Sequence, residues 1–117
     1  MRASAHRILL LAALAATTSF CASLSSADDL STVEVTLAND TFTPTEVKVA
    51  AGQPFIMKFI NKDHPAAAEI EAKDLKIEKV IAGGSEIIAR VKAMKPGRYL
   101  FVNEYKEETV GGYVLVE

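Results

Sequence analysis

Five carboxylates fall on two short polar stretches, Glu69 and Glu71 on one and Glu104, Glu107 and Glu108 on the other. Carboxylate oxygens are hard donors that suit iron, manganese or calcium better than Cu(I). An imidazole from His64 or a thioether from Met57 would complete a mixed ligand set, open enough for ferrous or ferric iron. Tyr105 and Lys106 lie between the carboxylates of the second stretch, where a tyrosine ring is free to hydrogen-bond or stack on a partner protein. Plainer roles compete with these. Glu107 and Glu108 suit a solvated loop tip, His64 beside Pro65 suits an exposed turn, and Met57 alternates with Phe55 and Phe59 as core residues do.

Other chemistries are poorly supplied. Cys21 is the single cysteine, and no Ser, His and Asp set assembles by any obvious spacing around His64, the one histidine beyond His6. No glycine loop of the kind that cradles phosphate is present.

The elements that must position these residues follow an N-terminal targeting segment. Arg2 and Arg7 precede an apolar run over residues 8–16, and small residues lead to Ser25-Ser26-Ala27, the pattern of a secretory signal peptide over residues 1–27 with cleavage before Asp28. The run is far short of the roughly 20 residues that span a bilayer, and the bulky Phe20 before Cys21 argues against a lipid anchor there. The secreted chain, residues 28–117, then forms one domain in the periplasm. It has no cysteine, and without Arg2 and Arg7 its 11 basic residues face all 15 acidic ones, a formal charge of −4. That balance argues against nucleic acid and anionic membrane as partners.

Within this domain Val33, Val35 and Leu37 alternate with polar residues, as do Val47 and Val49, while Phe55, Met57 and Phe59 share one face of the strongest strand, predicted over residues 53–61. Asn39-Asp40, Ala51-Gly52, Gly83-Gly84 and Lys95-Pro96-Gly97 are turn signals. Residues 66–73, with three alanines beside a proline, read as an irregular connection with one helical turn. Further strands are predicted over residues 75–81, 85–91, 98–102 and 113–116, with Tyr99, Phe101 and Asn103 on one face. Seven or so short strands between turn signals imply an all-β fold, an antiparallel sandwich with Greek-key connections.

The order Phe-x-Pro-x-x-Val-x-Val-x-Ala-Gly (42–52), Asn-x-Asp (61–63), Gly-Gly (83–84), Lys-Pro-Gly-x-Tyr-x-Phe (95–101) and Gly-Tyr-Val-Leu-Val-Glu (112–117) resembles a cupredoxin-like domain over almost all of the secreted chain. More narrowly, Asp-Leu-Lys-Ile-Glu-Lys-Val-Ile-Ala-Gly-Gly (74–84) and Arg-Tyr-Leu-Phe-Val-Asn-Glu-Tyr-Lys-Glu-Glu-Thr (98–109) resemble the EfeO-type periplasmic proteins of bacterial ferrous-iron uptake systems. The resemblance implies a single Greek-key cupredoxin-like β-sandwich. It puts Asn103 where electron-transfer members carry the copper cysteine, Lys106 and Glu69 where they carry histidines, and Thr109-Val110 in the region of the axial methionine. A type 1 blue copper centre needs a thiolate and two imidazoles, so a secreted chain without cysteine excludes it. An ammonium at Lys106 repels a cation and either points away or substitutes its own charge for the metal's.

The favoured function implied by the resemblance is an accessory of ferrous-iron uptake. It would bind iron or copper through Glu69 and Glu104, and assist iron oxidation or transfer to a membrane iron permease alongside other periplasmic components. Redox work would fall to bound copper or to a partner, so the chain is not expected to be an enzyme on its own. Two alternatives stand beside it: a copper carrier or electron-transfer protein with a non-thiolate site, and a metal-free module that docks a partner through the 104–109 loop.

Overall fold

A computed structural model describes residues 30–106 and 109–117. The signal-peptide reading of residues 1–27 falls outside them. Alternating burial builds nine strands among the described residues: β1 (Thr32–Ala38), β2 (Thr41–Thr43), β3 (Glu46–Val49), β4 (Phe55–Asn61), β5 (Ala68–Ala72), β6 (Ile77–Ile81), β7 (Glu86–Val91), β8 (Gly97–Asn103) and β9 (Gly112–Val116). They form two sheets, in the orders β2-β1-β4-β7 and β3-β9-β8-β5-β6. β4 shows the sandwich pattern most plainly, with Phe55, Met57, Phe59 and Asn61 buried and Ile56, Lys58 and Ile60 half-buried on the other face.

Two expectations need correction. The sandwich is not purely antiparallel, because β1 pairs parallel with β4 and β3 parallel with β9. A parallel partner requires a crossover, and the chain supplies one by visiting β2 and then β3 of the opposite sheet before returning as β4. Secondly, the predicted irregular segment over residues 66–73 contains β5, held between β6 and β8. Its Ala-Glu-Ile-Glu-Ala sequence has period 2, with Ala68, Ile70 and Ala72 buried. The one helical turn comes later, as a 3₁₀ turn at Lys73–Leu75 capped by Lys76 in the left-handed region (φ 58).

Phe101 stands edge-on to Phe42 and Phe59, with ring centroids 5.1 and 5.5 Å away. Its ring lies over Gly112, its register partner on β9, where an added Cβ would collide with the Phe101 ring. This aromatic cluster fixes the inner face of β8, and so the side to which Asn103 must turn.

The β1–β2 hairpin closes through Asn39 and Asp40, both at positive φ (50 and 58), the requirement of a two-residue turn matched to strand twist. Asp63, just past β4, accepts both of their backbone N–H groups, at 2.6 and 3.0 Å. Asn61 is 1% exposed; its Nδ2 donates to the carbonyls of Ala66 and Ile81 and its Oδ1 accepts Asp63 N–H. Buried polar groups require such partners. The Asn-x-Asp motif is thus a bracket that ties the end of β4 to the hairpin and to the end of β6.

Candidate functional site

Asn103 ends β8 with its side chain on the inner face, continuing the period set by Phe101. It is 3% exposed, and its Oδ1 accepts the backbone N–H groups of Glu69 (3.1 Å) and Tyr105 (3.2 Å). Glu104 N–H donates in turn to the Glu69 carbonyl at 2.8 Å. One buried amide therefore joins the start of β5 to the first residues after β8.

The period of β5 turns Ala68 inward and Glu69 outward. Glu69 consequently does not share the inner face with Asn103, where an inward-facing ligand would have to be; the inward residue is Ala68. The Glu69 side chain instead meets those of Glu104 and Glu78 on the outer face of the five-stranded sheet, one carboxylate oxygen from each lying within 4.8 Å of the others. Glu78 comes from β6, which pairs with β5 in the register Glu71↔Glu78 and Glu69↔Val80, so Glu78 is the diagonal neighbour of Glu69. The ion pairs among the described residues engage other carboxylates: Glu34, Glu86, Glu71, Glu46 and Asp40. Three carboxylates at this spacing offer a hard cation one oxygen donor each.

The remaining candidates divide. Met57 is a correction: it is 0% exposed in the hydrophobic core, paired in register with Val33 and Ala89, and far in kind from any surface ligand. His64 is exposed beside Gly84 and is not part of the carboxylate group. Glu107 and Glu108 lie outside the described residues. Tyr105 is 53% exposed, and Lys106 Nζ sits 2.9 Å from Asp40 Oδ2, turned toward the β1–β2 hairpin. Sequence reasoning missed Glu78. Its outward period in the predicted strand was visible, but the strand beside it was not.

The family description "Cupredoxin-like domain" matches residues 9–116. The chain belongs to that family. Among solved structures, this cupredoxin-like domain is similar to auracyanin A, a "blue" copper protein from the thermophilic bacterium Chloroflexus aurantiacus, with a TM-score of 0.63 at 16% identity over 74% of this chain and 98% of that one. It is equally similar to the metal-binding domain of the Cu(I)-exporting P-type ATPase CopA of Streptococcus pneumoniae D39, with a TM-score of 0.63 at 20% identity over 74% and 84% of the two chains. At such identities the likeness establishes the fold. A relative in sequence is an uncharacterized protein of Rickettsia prowazekii (strain Madrid E), 26% identical over 89 residues that cover 76% of this chain and 70% of that one.

The inner residues of this cupredoxin-like domain do not fit a type 1 copper ion. Asn103 offers an amide whose oxygen is already taken by two N–H groups, and Ala68 offers no donor; Lys106 lies exposed on the hairpin side, paired with Asp40. None of the described residues is a cysteine, so none of them supplies a thiolate. The donors that converge are the oxygens of Glu69, Glu78 and Glu104, a set suited to a hard divalent cation.

Proposed function

We propose that this cupredoxin-like domain is a periplasmic accessory of ferrous-iron uptake that holds iron as cargo on an outward carboxylate site and passes it to a membrane permease. The observation that carries the reading is the convergence of Glu69, Glu78 and Glu104. The likeness of residues 74–84 and 98–109 to the EfeO-type proteins supports the iron assignment, and those stretches contain Glu78 and Glu104. An exposed site of this kind binds and releases without opening the sandwich, as a carrier must. Carboxylates carry no electrons, so the chain's own part is capture and delivery.

The copper proteins among its structural neighbours support a second reading, in which the cargo is copper. Calorimetric titration with anaerobic Fe(II), Mn(II) and Cu(II), repeated on Glu69→Gln and Glu104→Gln, separates the readings. Micromolar or tighter binding of Fe(II) and Mn(II), on the order of −8 kcal/mol, weakened in both variants supports the iron carrier. A strong preference for Cu(II) beyond the ordinary stability order of divalent ions supports the copper carrier. No binding of any of the three leaves the exposed Tyr105 and the loop around it as a docking surface without metal.

A further inference from the structure

β7 ends the four-stranded sheet, and among the described residues no strand lies on its other side. Its register with β4 determines which of its backbone groups are left over. Asn61 N–H donates to the Ser85 carbonyl at 2.8 Å, one step beyond the pair Ile60↔Glu86, and hydrogen-bonded and non-hydrogen-bonded pairs alternate along an antiparallel ladder. Ile87, Ala89 and Val91 therefore bond to β4, while Glu86, Ile88 and Arg90 turn their N–H and C=O groups to the open edge. Among the described residues, no backbone hydrogen bond outside the ladders engages those groups.

The side chains of the same three residues share the outer face of the sheet. Ile88 is 60% exposed and lies opposite Lys58 in register. Glu86 and Arg90 flank it at equal spacing, both exposed. An edge with unpaired backbone groups accepts another strand unless a proline, a bulge or an unmatched charge blocks it. β7 contains no proline, and its two outer charges are opposite in sign. The order Glu-x-Ile-x-Arg is self-complementary: turned about a two-fold axis at Ile88, it sets each glutamate against an arginine. Glu86 reaches Lys58 at 3.4 Å, whereas no ion pair among the described residues engages Arg90.

We propose that the β7 edge is a dimer interface whose occupant is β7 of a second copy of this chain. The two strands run antiparallel about a two-fold axis at Ile88, an isologous contact that joins the two four-stranded sheets into one. Ile88 exchanges both backbone hydrogen bonds with Ile88 of the second copy, and Glu86 faces Arg90 of the second copy on either side of the axis. The free backbone groups, the exposed apolar residue and the opposed charges all select this register. A slip by two residues would set Ile88 against Glu86 or Arg90 of the second copy instead. One strand pair buries little surface, so the dimer is a weak, concentration-dependent one.

The test is sedimentation equilibrium of the purified protein at concentrations up to about 1 mM. The parent is expected to show a monomer–dimer equilibrium. Glu86→Arg and Arg90→Glu each put like charges face to face on both sides of the axis, and each alone is expected to weaken association about 10-fold or more. An equal mixture of the two variants is expected to associate as the parent does, because the arginines of one then face the glutamates of the other. Ile88→Lys, which sets two ammonium groups together at the axis, is expected to be monomeric. All three positions are exposed, so the variants are expected to keep the parent's melting temperature. A parent that stays monomeric up to about 1 mM overturns the proposal. So does a dimer that survives Ile88→Lys and both charge reversals, since it would lie elsewhere on the molecule. A mixture that fails to associate where the parent does overturns the pairing of Glu86 with Arg90.

Discussion

The side-chain oxygen of Asn103 accepts the backbone N–H of Glu69 at 3.1 Å, across 34 positions of sequence. This bond sets the spacing of the two carboxylate-bearing segments, because the same oxygen holds Tyr105 N–H and the Glu104 amide returns to the Glu69 carbonyl. An amide inside the sandwich thus determines the geometry of a site outside it.

Asn103→Leu, which fills the space without an acceptor, strands both N–H groups. It is expected to destabilise the protein by about 2–3 kcal/mol, read as a lowered urea midpoint at unchanged slope. Asn103→Asp keeps the acceptor oxygen at the same volume and is expected to recover part of the loss at a pH low enough to keep the buried carboxyl neutral. Parent-like stability of Asn103→Leu would show that the two hydrogen bonds are not what the position requires.

Glu71 on β5 and its register partner Glu78 on β6 should behave differently. Glu71 pairs with Lys73 at 3.4 Å and stands outside the converging group, whereas Glu78 is within it. Glu78→Gln is expected to weaken Mn(II) binding about 10-fold and Glu71→Gln by less than about twofold, by isothermal calorimetry. The reverse order would move the site along the sheet.

Gly112→Ala forces a methyl into the Phe101 ring and is expected to cost about 3 kcal/mol. Phe101→Leu in the same background should return part of that stability. Additive losses in the double variant, measured by thermal melting, would contradict the contact.

The Lys106–Asp40 ion pair has a short 2.9 Å contact, yet its side chains are 43% and 47% exposed. Pairs so open to solvent contribute less than about 1 kcal/mol. Lys106→Met is accordingly expected to change the melting temperature little, and a large drop would reveal that the charge holds the loop.

Cu(II) added to the protein from Asp28 onward is expected to produce no intense thiolate-to-copper absorption, since Cys21 is the single cysteine. A strong blue colour would require a thiolate donor that residues 28–117 do not provide.

Much of this was legible from residue order. The alternation at Phe55, Met57 and Phe59, the turn at Asn39-Asp40, and the inward face of Tyr99, Phe101 and Asn103 all follow from period 2 and turn chemistry. Asn103 was even placed correctly at the end of its strand, though nothing local could say that its partner would be Glu69. The parallel pairings escaped notice because they join strands separated by a visit to the other sheet. β5 is obscured because its alternation of Ala68, Glu69, Ile70, Glu71 and Ala72 follows two further alanines and a proline, which favour other structure. The approach of Glu78 to Glu69 exists only through the β5–β6 register, so it is hidden wherever β5 is.

The position of β9 has a consequence for how the protein comes into being. β9 lies between β3 and β8, bonding Glu46 through Val49 on one side and Gly97 through Phe101 on the other. As the chain is synthesised from its N terminus, β3 waits for a partner that is made more than sixty residues later. Until then Val47 and Val49 have no sheet to lie in, and Phe101 lacks the glycine that admits its ring. A message truncated at Gly111 would therefore yield a protein with β9 missing and β3 unpaired, leaving the edge of β8 open and prone to stick to its own copies, even though every residue proposed here to touch metal would already be present.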